Sequence, residues 1–315
     1  MGADLPDEAG EPPDGHADRQ DDQPGSGARA ARANGIPPET RGREEYYADL
    51  HKAVSKKESI TAQQAAAGEQ AAVEKWNAQA GESRWMWGEY QRRWLPSERA
   101  PANSSEASPG SWRGEGDRKL DAAANSRVDA ACDRIAKLEE QKITPALRAV
   151  ESQDPDRHLV GLENCRKGRD RIKEKAADRM KEKNRTPEEA VSLIPDTLRY
   201  TFQYSEARYT QGVWAEIGRL KSQGFEERIR RNYWSDEQYK GINSQWVEPD
   251  SGQRLEVQFH TRISFEAKQL THEAYERLRT KQADKFEELV LEAFQKKVAA
   301  EVPIPRGATD IPDYP

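Results

Sequence analysis

An acid, an amide and an imidazole follow one another at every second position in Leu255-Glu256-Val257-Gln258-Phe259-His260. A period of two is that of a β-strand, so Leu255, Val257 and Phe259 are predicted to share one face and Glu256, Gln258 and His260 the other. A half-exposed sheet with a solvated polar face would give the same alternation. The same three side chains in a row also suit a face that lines a cleft. The helix predicted directly afterwards, Ser264–Arg279, carries Lys268 and His272 four residues apart, which can return both to that face. A second carboxylate, Asp196, follows Pro195 at the mouth of another alternating segment, Leu198–Phe202. An Asp at a strand start is commonly a turn or cap residue. A pair of carboxylates at neighbouring strand ends is also the usual way to hold Mg²⁺ for nucleotide chemistry, with phosphate oxygens and water completing the shell. Finally, Lys167, Arg171 and Lys175 recur every four residues, with Arg166, Arg169 and Lys173 close by. Such a run is either a solvated helix face or a basic stripe that clamps polyphosphate. It is not a phosphate loop, because neither G-x-x-x-x-G-K-S/T nor G-x-G-x-x-G occurs.

The elements that must position these residues lie in the second half of the chain. Val128, Ile135, Leu138, Ile143, Leu147 and Val150 recur at helical intervals, interrupted by Pro145, and predict one or two helices over 118–151. Leu159–Lys183 reads as one further helix. Thr186-Pro187-Glu188-Glu189 is a helix start with an N-cap threonine, proline at the first position and acids in the first turn. Thr210–Gln223 and Lys285–Ala300 read as helices, and Phe225–Asn232 and Asn243–Glu248 as strands. The expected fold is α+β, a mixed sheet flanked by helices, over residues 113–300. Ahead of it the sequence reads as a disordered acidic, Pro- and Gly-rich tail (1–42), a helical tryptophan-rich region (43–95) of one or two helices, with Gly68 and Gly81 as the places where it can break, and a linker (96–112). Residues 301–315 read as a tail. The tryptophans near the end of 43–95 are expected to dock on a neighbouring surface.

Composition narrows the classes. Of the 315 residues 35% are hydrophobic and 34% charged, too polar for one uniform globule of this length. A formal charge of −6, from 50 basic and 56 acidic residues, argues against a nucleic-acid coat protein but not against a local basic pocket. The two cysteines, Cys132 and Cys165, exclude a disulfide scaffold and a four-cysteine zinc site. No run approaches the roughly 18 apolar residues of a membrane span. The amino end carries no basic stretch followed by an apolar core, so a cytoplasmic protein is expected, with export by a specialised delivery system left open.

Taken in order, the segments resemble the RelA/SpoT-type alarmone synthetase domain, a nucleotidyltransferase-like fold. Lys167…Ile172…Lys175 is similar to the family's R-x-K-x-x-x-x-I-x-x-K helix. Ile194-Pro195-Asp196-Thr197-Leu198-Arg199-Tyr200 resembles its D-L-x-G-x-R strand, whose Asp binds Mg²⁺. Glu256-Val257-Gln258-Phe259-His260-Thr261 resembles E-V/I-Q-I/L-R-T, and His272 lies at the offset of the helix histidine of small members. Tyr239-Lys240-Gly241-Ile242-Asn243-Ser244 sits where the family has G-Y-R-S-L-H. The resemblance covers about 155–280. It departs at Cys165, Ile242 and His260, which stand where the family has an arginine, the base-stacking tyrosine and an arginine. The hydrolase domain of larger members is missing, which places the chain nearer the divergent single-domain branch that includes toxins.

The resemblance implies a Mg²⁺-dependent pyrophosphokinase that moves the β,γ-pyrophosphate of ATP to the 3′-hydroxyl of a nucleotide or of a tRNA 3′ end. Asp196 and Glu256 would be the catalytic and metal-binding carboxylates, Glu256 orienting or deprotonating the hydroxyl. Lys167, Arg171 and Lys175 would neutralise phosphate charge. Tyr239, Asn243, Gln258, His260, Lys268 and His272 would line the nucleotide side, Tyr239 in place of the missing stacking tyrosine. A homo-oligomer and an antitoxin or immunity protein are the implied protein partners, with no membrane or duplex DNA. Two other readings stay open: a nucleotide-binding module without catalysis, and an interaction protein acting through the tryptophan-rich helices.

Overall fold

The alternating segments of the sequence form one five-stranded mixed sheet in the computed structural model, which describes residues 62–94 and 108–315 apart from 153, 155 and 281. The expected tail at 1–42, the first part of the tryptophan-rich region and most of the linker lie outside the described residues. The strands are β3 (Arg157–Val160), β4 (Arg199–Tyr204), β5 (Glu226–Asn232), β6 (Ile242–Val247) and β7 (Arg254–Thr261), in the order β3-β4-β7-β6-β5. A two-stranded ribbon of β1 (Trp112–Arg113) and β2 (Lys119–Leu120) stands apart from it. Within the large sheet only β4 and β7 run parallel, and Arg199, Tyr200 and Thr201 face Glu256, Val257 and Gln258 directly. The other neighbours are antiparallel. The fold is α+β, as expected.

Both faces of the central strands are covered. Val257 and Phe259, with Tyr200 and Phe202 beside them, are fully buried on the apolar face under α6 (Tyr209–Ser222). The Tyr209 hydroxyl donates to the Phe259 carbonyl at 2.9 Å. A Cβ on Gly212 would come within 2.4 Å of the Tyr204 ring, so this helix packs that closely only with glycine there. The opposite face is covered by α7 (Arg262–Arg279), which leaves Thr261 through a reciprocal Thr261/Ser264 cap. The polar face of β7 is therefore not solvated: Gln258 and His260 are buried.

In front of the sheet α2 (Ala122–Leu138) runs through a π-turn at Glu139–Ile143 into α3 (Thr144–Glu151), with Pro145 at the start of α3 where its missing N–H costs nothing. The basic helix is shorter than its sequence suggests. Residues 157–160 are the edge strand β3, Arg166 bridges to Leu198, and only Arg169–Lys183 form helix α4. The four residues ahead of the helix-forming run, bounded by Pro155 and Gly161, take their extended conformation from pairing with β4. The short α5 (Pro187–Ser192) has the capping box read from Thr186 and Glu189.

At one boundary the structure decides between open alternatives, and at another it corrects the expectation. Helix α1 (Ala62–Trp94) passes through Gly68 and Gly81 without a break; nothing lies within 4 Å of a Cβ at either. It docks on α7 and on α8 (Lys285–Ala300) through Trp76, whose Nε1 donates to Glu266 at 2.8 Å, and Trp87, stacked on Phe294. The segment after Ala300 is not a tail: Tyr314 pairs with Arg230, Ile311 is buried, and Thr210 donates to the Arg306 carbonyl.

Candidate active site on the buried polar face

Three backbone segments zip together at one end of β4 and β7. Lys167 N–H donates to the Thr197 carbonyl at 3.0 Å and Arg199 N–H to the Cys165 carbonyl at 2.7 Å, while Glu256 N–H donates to the Leu198 carbonyl at 2.9 Å. This lattice sets Asp196, in the turn before β4, beside the short extended piece that carries Lys167. Lys167 therefore reaches the site from the short segment ahead of α4, not from a helix. Its Nζ lies 2.6 Å from Asp196 Oδ2, and Lys175, from α4, lies 3.2 Å from Oδ1. Arg199 completes the cluster: Nη2 is 3.1 Å from Asp196 Oδ2 and Nε is 3.0 Å from Glu256 Oε1. Arg199 and Glu256 are direct cross-strand neighbours, so one guanidinium spans both carboxylates.

From Glu256 the polar chain continues along β7. Gln258 Nε2 donates to the same Glu256 Oε1. Gln258 Oε1 accepts from Lys268 Nζ at 2.5 Å and from Thr201 Oγ1 at 3.4 Å. Lys268 and His272, one turn apart on α7, line a cavity of about 240 Å³ together with Arg199, Thr201, Gln269 and Phe265. His260 is held at both ring nitrogens, Nε2 at 2.8 Å from the Tyr239 hydroxyl and Nδ1 at 2.9 Å from Ser264 Oγ. The Tyr239 hydroxyl also donates to Asn243 Oδ1 at 3.0 Å. Tyr239 meets His260 and Tyr233 edge-on, with interplanar angles of 88° and 78°. Gly241, at φ +152°, is required here: a Cβ would stand 2.7 Å from His260 Cε1.

Electrostatics follow from burial and this pairing. Burial alone would raise the Asp196 carboxyl, yet Lys167, Lys175 and Arg199 together hold it well below the carboxylate range. Burial draws Lys167 down to about 8 against the pull of Asp196, and lowers Lys175 likewise. Lys268 falls to about 7 through burial and the repulsion of Arg199. His260 and His272 are both lowered, chiefly by burial. At neutral pH the imidazoles are therefore uncharged, and positive charge gathers on the Lys167–Lys175–Arg199 side.

The structure thus brings together Asp196, Glu256, Lys167, Lys175, Gln258 and Lys268, with His272 on the cavity wall and Tyr239, Asn243 and His260 as a linked trio at the far end of the face. Arg171 is not among them: it turns to Glu174 at 2.7 Å and Glu276 at 3.2 Å, tying α4 to α7. Arg199 is the residue that sequence reasoning left without a role. Its signal was the alternation of its own strand, which puts it on the face of Thr201 and opposite Glu256. Among the described residues no group of three or more His, Cys, Asp or Glu side chains could hold a metal ion by itself, and no helix is long and apolar enough to cross a membrane.

No family model and no curated protein matches the chain. Among solved structures, the small alarmone synthetase 1 of Bacillus subtilis is similar at 13% identity, over 56% of this chain and 89% of that one, with a TM-score of 0.37. The same synthetase bound to its product pppGpp is similar at 15% identity, over 59% and 95%, with a TM-score of 0.40. A Streptococcus mutans protein, smu.1046c, is similar at 14% identity, over 56% and 86%, with a TM-score of 0.34.

Proposed function

We propose that this chain is a nucleotide pyrophosphokinase, moving the β,γ-pyrophosphate of ATP to the 3′-hydroxyl of an acceptor nucleotide. The observation that carries the reading is the pair Asp196 and Glu256, joined by Arg199 and set against Lys167 and Lys175 on a buried polar face. Two carboxylates against three cations leave the cluster positive, which suits a polyphosphate rather than a neutral substrate. Phosphoryl-type transfer depends mainly on positioning and on stabilising charge that develops on phosphate oxygens. Lys167 and Lys175 supply that charge from two different elements. Arg199 fixes the distance between the carboxylates and faces the cavity where an acceptor would lie.

The donor set fits Mg²⁺ only together with the polyphosphate. Asp196 and Glu256 offer hard oxygens, and phosphate oxygens and water would have to complete the shell. Once bound, the ion would draw charge from the phosphates and align them. Glu256 Oε1 already accepts from Arg199 and Gln258, so Oε2 is the oxygen that would orient the acceptor hydroxyl or take its proton. Gln258, itself bonded to Lys268, holds Glu256 from the acceptor side.

The test is AMP formation from ATP by the full chain, with and without an added nucleotide. Acceptor-dependent AMP release that falls at least ~10²-fold in Glu256→Gln, with the melting temperature retained, is the expected result. Full activity in that variant would remove Glu256 from the chemistry. Nucleotide binding without any AMP release would favour a non-catalytic binding module.

A further inference from the structure

On the face of the sheet that α6 covers, a second pocket of about 100 Å³ is lined by Tyr204, Gly212, Arg219 and Asp154, with Arg208 and Asp156 at its more exposed end. It adjoins the anchor of β3. Tyr204 is the direct cross-strand neighbour of Arg157, whose Nη1 lies 2.5 Å from Glu216 Oε2. Tyr204, Arg157 and Glu216 are each at most 2% exposed. Yet the Tyr204 hydroxyl, Glu216 Oε1, Arg157 Nε and Arg219 Nη1 are buried with no hydrogen-bond partner among the described residues. Single orphans of this kind are uncommon, and four in one place point to a ligand. The ion pairs around the pocket are also stretched: Arg219 stands 3.9 Å from Asp154 and 4.0 Å from Glu216, too far for a direct hydrogen bond. That is the spacing of groups joined through a water molecule.

The groups present decide what the ligand is. Arg157, Arg208 and Arg219 stand against Glu216, Asp156 and Asp154, so the charges balance and the pocket favours neither an anion nor a cation. Nor do the three acids make a set that could hold a metal ion. Arg157 and Arg219 lack an acceptor, Glu216 lacks a donor, and the Tyr204 hydroxyl can use either. Water supplies both, and at roughly 30 Å³ each about three molecules fill the pocket. Cavities of this size stay dry when their walls are apolar, which these are not. We propose that about three water molecules are a fixed part of the fold at this place, bridging the Tyr204 hydroxyl and Arg219 to Glu216 and completing the ion pair that anchors β3. The strand runs on from Arg157 to Val160, which lines the cavity of the candidate site, so the bound water supports that wall from behind.

Urea unfolding of Tyr204→Phe, made in the full chain, reads the state of the hydroxyl. A hydroxyl bonded to pocket water is lost at a cost, so the unfolding constant of the variant should rise about threefold or more. An unchanged or smaller unfolding constant would mean that the hydroxyl is buried dry and unpaired, and would overturn the hydrated pocket. A crystal structure of the full chain, from crystals grown in bromide, identifies the occupant. Ordered water within about 3.2 Å of Tyr204 Oη, Glu216 Oε1 and Arg219 Nη1 is the expected result. No ordered density there, or an anomalous bromide peak beside Arg219, would overturn it.

Discussion

Arg199 does two things with one side chain: its Nη2 pairs with Asp196 and its Nε with Glu256. Lysine has a single point of charge and cannot hold both carboxylates, so Arg199→Lys should keep the fold but lower turnover by about 10²-fold. Steady-state kinetics beside a thermal melt checks this; a variant with near-wild-type turnover would show that the spacing of the carboxylates does not matter. Lys268 gives a second prediction at the same scale. Its native value, about 7, lies below the ordinary lysine value of 10.5, so between those two values the unfolded chain binds more protons than the native one. Stability should therefore rise as pH increases from about 7 towards the ordinary lysine range, and Lys268→Met should flatten that rise. Denaturant unfolding of both proteins at about pH 7 and about pH 9.5 measures it, and equal slopes would contradict the assignment.

The elements explain why some of this was legible in the sequence and some was not. The strand Leu255–His260 and the helix after it were readable because period two gives way abruptly to period four at a threonine cap. That alone placed Glu256, Gln258, Lys268 and His272 on one side. The strand β3 was not readable, because Arg157–Val160 is an edge strand of only four residues, too short to show alternation and set just ahead of a helix-forming run, and only its partner β4 decides its conformation. Arg171 was misplaced for the same reason: once the helix starts at Arg169, Lys167 drops out of the helical register and the stripe no longer has one face. The polar face could be read either as solvated or as lining a cleft, and only the packing of α7 over it, which buries Gln258 and His260, decides between the two. Edge strand β3 is anchored by Arg157, which is fully buried and 2.5 Å from the buried Glu216 of α6. Glu216→Gln should cost on the order of 3 kcal/mol by leaving the Arg157 charge without its counter-ion, measured by chemical denaturation. A cost below about 1 kcal/mol would mean that the pair adds nothing the packing does not already provide.

At the scale of the whole molecule, α1 is part of the folded unit and not a detachable leader. Trp76 is 1% exposed and bonded to Glu266 on the helix that carries Lys268 and His272, and Tyr90 reaches Glu287 at 2.5 Å. A chain beginning at residue 111 should be several kcal/mol less stable than the full protein, because it loses the packing of Trp76 and Trp87, and replacing one buried Trp by Ala alone costs about 3–5 kcal/mol. Equal melting temperatures for that truncation and the full chain would contradict that role for α1.

The most direct measurement is to incubate the full chain with γ-labelled ATP, Mg²⁺ and, separately, AMP, ADP, ATP, GDP, GTP and deacylated tRNA, and to resolve the products by chromatography beside Glu256→Gln. A labelled acceptor carrying a 3′-pyrophosphate, formed with stoichiometric AMP and missing in the variant, is the predicted result. No labelled acceptor from a sample that still binds ATP would contradict the account.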